Sequence, residues 1–193
     1  MDDGRPDPPP VPVTRVGAYA VVLVDGRVLL TELAGTTTAP GLWTLPGGGL
    51  DHGEAPVDAV AREVLEETGH ALVEPRLVDV SSAHFVGRSP AGRLEDFHGV
   101  RIVYRADVEQ VRQPEVLDVG GSTSAAAWVP LDRLAQLPRT EWLLPLLARL
   151  LDEPALAGVG GEPYGRRHER DDGREDDGRE DDGHRPAGHR PGA

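Results

Sequence analysis

The chain has 193 residues, a formal net charge of −13, no cysteine, and arginine in place of every lysine. That length holds one domain with a real core and some tail. The composition excludes disulfides, thiolate metal sites and thiol catalysis. A surface this acidic repels polymeric nucleic acid, and no window of about 18 apolar residues is present to cross a membrane.

Residues 1–12 are rich in Pro and Asp and have little to bury, so they read as a disordered leader, with order beginning near Val13. An acidic, Pro-rich start is also unlike a secretory signal, which leads to the expectation of a soluble, cytoplasmic protein. Residues 16–24 (VGAYAVVLV) form a β-rich run, Asp25-Gly26 is a two-residue turn signal, and residues 27–33 return as an antiparallel hairpin. A loop over 34–41 leads to a short extended piece at 43–46 and the glycines Gly47, Gly48 and Gly49. A helix follows over about 55–68, with Pro56 tolerated in its first turn and Gly69 at its C-cap.

Residues 71–85, bent near Pro75, and 97–108 read as strands, joined by a long loop over 87–96 that would cover the functional site. A second loop spans 109–124, followed by a short strand at 125–129 and one or two helical turns over 131–137. The last helix covers 140–152, capped by Thr140, with Pro145 bending it or sitting in its first turns. The plan is mixed α/β, one domain over 13–152. From residue 153 the chain is Gly, Pro, Arg and Asp, with Arg-Glu-Asp-Asp-Gly recurring at Arg174 and Arg179, and reads as a disordered low-complexity tail.

The helix over 55–68 carries the chemistry. At about 100° per residue, Glu66, Glu63 and Glu67 share one face, while Val57, Val60, Ala61, Val64, Leu65 and Thr68 occupy another. The acidic face is expected to meet solvent. Its hard oxygen donors suit Mg²⁺ or Mn²⁺ beside phosphate. A bare Glu-x-x-Glu-Glu is more often a solvated helix face; the glycine run before it and the cap after it shift the reading toward a site.

Gly48, Glu54, Arg62, Glu63, Val64, Glu66, Glu67 and Gly69 together resemble the Nudix box, whose pattern is Gly, five residues, Glu, seven residues, Arg-Glu-apolar-x-Glu-Glu-x-Gly-apolar. Only the last apolar position departs, as His70. The resemblance implies an α+β fold, an α/β/α sandwich with a mixed sheet. It implies Mg²⁺-dependent hydrolysis, with Mn²⁺ able to substitute, of a nucleoside diphosphate linked to another moiety. Glu63, Glu66 and Glu67 would be metal ligands, helped by the carbonyl of Gly47 or Gly48, with Glu63, Glu66 and Arg62 as the catalytic set. The small-molecule partner would be a nucleoside diphosphate derivative, and a homodimer is compatible with the resemblance.

The general base stays open among a box glutamate, Glu115, Asp118, Glu95 and Asp96. Residues 121–128 resemble a Gly-Ser-Thr-Asp-Glu-x-x-Trp segment of relatives, with both acids lost as Ser124 and Ala125. Sequence marks of the ADP-ribose, dinucleoside-polyphosphate and NADH subgroups are missing, so the substrate is open between nucleotide sugars, ADP-ribose-like compounds and nucleoside triphosphates. His84 and His98 read as core or rim residues, and Tyr19, Phe85, Phe97 and Tyr104 as core before base-stacking groups. Arg27, Arg88, Arg93 and Arg101 are phosphate candidates, Arg101 being favoured by its strand. Two rival functions remain: a diphosphate isomerase, which in its usual form needs a cysteine, and an inactive ligand-binding module, which commonly loses box glutamates.

Overall fold

The structure is a computed structural model that describes residues 9–152 apart from Pro90; most of the expected leader and the tail lie outside the described residues. The ordered chain starts two residues earlier than expected, with strand β1 (Val11–Val21). β1 is central in a mixed sheet, parallel to β7 (Leu94–Val108) and antiparallel to β5 (Gly47–Gly49), and β6 (Leu72–Arg88) completes the order β5-β1-β7-β6. A second, antiparallel sheet holds β2 (Leu23–Val24), β3 (Arg27–Leu33), β4 (Trp43–Thr44) and β8 (Thr123–Pro130).

The expected hairpin is thereby corrected. Asp25 (φ 49°) and Gly26 (φ 71°) do turn β2 back onto β3, the left-handed pair that a tight hairpin needs. The longer run before them divides at Val22, and β1 pairs in the other sheet. Alternation in sequence tells which side chains are buried, not which strand lies alongside.

The same alternation builds the layers. Ala18, Ala20, Val22 and Leu29 pack on Ala59, Val60 and Val64 of α1 (Pro56–Thr68). Val21, Val28, Leu30 and Val103 pack on Leu143, Leu144, Leu146 and Leu147 of α2 (Leu143–Leu151). Successive residues of one strand therefore serve opposite helices, and the result is the expected α/β/α arrangement.

α2 begins later than its sequence suggested. Trp142 precedes it without a side-chain cap, and the Thr140 hydroxyl instead reaches the Thr44 hydroxyl at 3.3 Å. Pro145 falls in the first turn, where a missing N–H costs nothing. β6 shows the bend expected near Pro75: Glu74 has φ 47° and the register shifts between Val73 and Arg76. The β6–β7 strands run further than expected and close in a short turn. Glu95 pairs with Val11, at the opposite end of β1 from Tyr19, which pairs with Gly47. Eight residues of strand put that tip about 26 Å from Gly47, so it is not a cover for the box. No helix among the described residues is long and apolar enough to cross a membrane.

Candidate active site

The site begins with two glycines. Gly47 has φ 136°, and a Cβ there would stand 2.2 Å from the Ala18 carbonyl oxygen. A Cβ on Gly48 would stand 2.6 Å from the Glu63 carboxyl carbon. β5 can lie against both β1 and α1 only because it lacks side chains. α1 then ends as expected on Gly69, at φ 72°, whose N–H donates to the Leu65 carbonyl at 2.9 Å.

Three box glutamates gather round Arg62. Its Nε and Nη2 donate to the two Glu54 carboxyl oxygens at 2.9 and 3.0 Å, a two-point contact that fixes both planes. Nη1 donates to Glu63 Oε1 at 2.8 Å and to Glu66 Oε2 at 3.3 Å, and Nη2 also reaches the Gly49 carbonyl at 3.2 Å. The Arg62 hydrogen bond and the Asp51 backbone N–H hold the Glu54 carboxyl down to about 2. Glu63 is shifted upward by burial, against the pull of Arg62. Arg62 itself is pushed up, first by its bond to Glu54.

Glu67 belongs to a different environment. It is 5% exposed, so the expectation that it faces solvent is wrong. Its Oε2 accepts the Gly47 N–H at 2.8 Å, and its Oε1 accepts the Thr123 hydroxyl at 2.5 Å with Ser122 at 3.5 Å. Burial pushes Glu67 up to about 7 despite these donors. On the wheel it borders the apolar arc, and β8 comes down beside that border. Among the described residues no three acidic or histidine side chains stand in a metal-ligating arrangement: Glu54, Glu63 and Glu66 turn to Arg62, and Glu67 turns to β5 and β8. The oxygens nevertheless fit a hard divalent cation by type, since carboxylates and a backbone carbonyl are the donors such ions take.

The other candidates separate clearly. Glu95 pairs with Arg93 at 2.7 Å and Asp96 with His84 at 2.5 Å, both near the hairpin tip. Asp96 lies opposite Pro12, six residues along β1 from the Ala18–Gly48 pair, or about 20 Å. This distance removes them as bases for the box. Glu115 and Asp118 lie close to it: their backbone N–H groups donate to the carbonyls of Thr68 (3.0 Å) and Glu66 (3.1 Å). Arg88 donates to the Gly92 carbonyl on the hairpin and Arg27 stands 3.7 Å from Asp25, both away from the box. Arg101 is the candidate brought in: it lies over the Trp142 ring at 4.9 Å, and that ring packs edge-on at 5.3 Å against Tyr19, whose hydroxyl is pushed up by burial, against the pull of Arg101. Tyr104 is partly buried and packs against the core beneath α1, whereas Phe85 is exposed and stacks on Phe97 at 5.2 Å. His84 and His98 are rim residues, with rings 6.1 Å apart.

Sequence reasoning missed the groups that hold Glu67. Ser122 and Thr123 immediately precede Ser124 and Ala125, the positions that lack the acids of relatives. Their hydroxyls, directly after the glycine pair Gly120-Gly121, were the available signal.

Comparison with known proteins agrees with this architecture. The NUDIX domain family matches residues 13–150. A MutT-like protein of Streptomyces ambofaciens is 48% identical over 154 residues, covering 79% of this chain and 81% of that protein. The crystal structure of a MutT NUDIX hydrolase from Burkholderia pseudomallei superposes with a TM-score of 0.56 at 32% identity, covering 77% of this chain and 99% of the other. RNA pyrophosphohydrolase of Bartonella clarridgeiae is 48% identical over 44 residues, 23% of this chain and 25% of that protein. The chain spans about a quarter to a third of the length of the first curated relatives it matches. The chain belongs to the NUDIX family.

Proposed function

We propose that this protein is a Nudix hydrolase that cleaves the diphosphate linkage of a nucleoside diphosphate derivative with Mg²⁺ as its cofactor, Mn²⁺ substituting. The observation that carries the reading is the persistence of all four box glutamates, each held by a named donor from α1, β5 or β8. A module kept only for binding has no need of that whole set. The relatives whose names include hydrolase and pyrophosphohydrolase support it, over the extents given above.

In this reading Glu63, Glu66 and Glu67, with a carbonyl from Gly47 or Gly48, hold the cation. When bound, the ion offsets the repulsion between diphosphate oxygens and an attacking water and eases proton loss from that water. Arg62 sets the rotamers of Glu54, Glu63 and Glu66 through fixed, forked contacts. The Gly47 N–H and Thr123 hydroxyl orient Glu67 so that its carboxyl does not have to be arranged during the reaction. Glu66, 44% exposed in its side chain, is the most accessible of the three and is the carboxylate best placed to meet water. Residues 13–152 would carry the activity, with the segments before and after as dispensable extensions, in the cytoplasm.

The test is a panel of nucleotide sugars, ADP-ribose-like compounds and nucleoside triphosphates, incubated with Mg²⁺ and with Mn²⁺ and analysed for products. Cation-dependent release of a nucleoside monophosphate, phosphate or pyrophosphate supports the reading. Binding of a nucleotide without turnover under every condition favours the inactive ligand-binding module instead.

A further inference from the structure

His70 is where this chain departs from the box, and the structure gives the departure a purpose. The residue is 1% exposed, under the edge of Trp128, whose ring centroid is 5.5 Å away. Each ring nitrogen faces a carbonyl oxygen: Nδ1 lies 2.9 Å from that of Thr68, and Nε2 lies 3.2 Å from that of Arg112. The first carbonyl belongs to the last turn of α1 and the second to the loop between β7 and β8. An apolar residue would fill the space but bridge neither.

The surrounding bonds all fasten the same loop to the same helix end. Trp128 Nε1 donates to the Arg112 carbonyl at 2.8 Å, and the Arg112 guanidinium donates to the Gly69 carbonyl. The N–H groups of Glu115, Leu117 and Asp118 donate to the carbonyls of Thr68 and Glu66. Carbonyls left unpaired at a helix C-terminus are thus met by the loop, with a cation at the negative end of the helix dipole. The loop then delivers Ser122 and Thr123 to Glu67.

We propose that His70 is a positioning residue: its ring, wedged between the Thr68 and Arg112 carbonyls and donating to one of them when neutral and to both when protonated, docks the β7–β8 loop on α1 and thereby sets the hydroxyls that hold Glu67. Its catalytic consequence rests on the hydrolase reading above, whereas the docking itself does not. Both carbonyls keep another donor when the imidazole is removed, from the Glu115 N–H and from Trp128, so the domain survives substitution.

The test compares the full-length protein with His70→Leu and His70→Gln, the latter returning one amide donor toward the Arg112 carbonyl. Hydrogen exchange of the Glu115, Leu117 and Asp118 amides reads docking without reference to activity. His70→Leu is expected to speed their exchange about tenfold, with β1–β7 amides unchanged, the signature of local opening. With the substrate that the panel identifies, kcat is expected to fall about tenfold and KM to stay within about twofold, since orientation and not binding is lost. His70→Gln should recover part of both effects. Unchanged exchange in His70→Leu, faster exchange throughout the domain, or no recovery in His70→Gln overturns the proposal. If the exchange effects appear and no substrate is turned over by the wild-type protein, the docking role stands and the hydrolase reading fails.

Discussion

Glu54 and Glu67 flank the same short stretch of chain, and the protein treats them in opposite ways. Glu54 meets a guanidinium at the surface and is held at about 2, while Glu67 is enclosed by neutral donors and pushed up to about 7. The difference shows that charge on α1 and the turn before it is managed by two devices, a cation for the outer carboxylates and burial with hydrogen bonds for the inner one. Only the outer device was written in the box itself, as Arg62.

The comparison is broken most directly at Glu67. Glu67→Gln can still accept the Gly47 N–H and donate to the Thr123 hydroxyl, so folding should persist while kcat falls at least about a hundredfold. Steady-state rates with Mg²⁺ and a melting curve on the same sample check both halves, and near-normal turnover would remove Glu67 from the site. Gly47→Ala attacks the support beneath it. With φ at 136° and Cβ 2.2 Å from the Ala18 carbonyl oxygen, destabilisation of about 3 kcal/mol is expected by denaturant titration.

Arg62→Met tests the outer device. It should lower kcat about tenfold by freeing three carboxylate rotamers, yet change stability by no more than about 1 kcal/mol because the pairs are partly exposed. A loss in stability as large as that of Gly47→Ala would mean that Arg62 is a structural anchor first.

pH separates the two sides by sign. A carboxyl raised to about 7 favours the folded state while protonated. Its contribution is full below its unfolded value near 4.5 and is lost as pH rises through about 7. The metal-free protein should therefore lose stability between about pH 5 and 7, and Glu67→Gln should flatten that slope. Glu54, held at about 2, contributes in the other direction, above its unfolded value, and loses its effect only as pH falls toward 2. Urea midpoints at pH 5, 6 and 7 with chelator present would show which sign dominates.

The smallest effect is expected from removing residues 153–193. Neither device uses them, and kcat should stay within about twofold of the full chain. A large loss would show that the tail contributes to the fold or to substrate binding.

Local features were legible before any coordinates. The helix over Pro56–Thr68, its Gly69 cap, the Asp25-Gly26 turn and the bend near Pro75 follow from residue type at fixed spacing. Placement was not. Glu95 and Asp96 looked equivalent to Glu115 and Asp118 as loop acids, yet strand register carries the first pair some 20 Å from the box, while helix-end carbonyls hold the second beside it.

The sequence by itself determined that four glutamates and an arginine would travel together on one helix and the turn before it, because those spacings are set by covalent distance and the helical period. The tertiary structure alone decided that Glu67 is buried, that Thr123 and Gly47 hold it, and that the His70 ring lies between the carbonyls of Thr68 and Arg112. The contacts of Glu67, and that of His70 with Arg112, join residues 20 to 56 positions apart, and such separations are closed by the packing of strands whose partners no local pattern names.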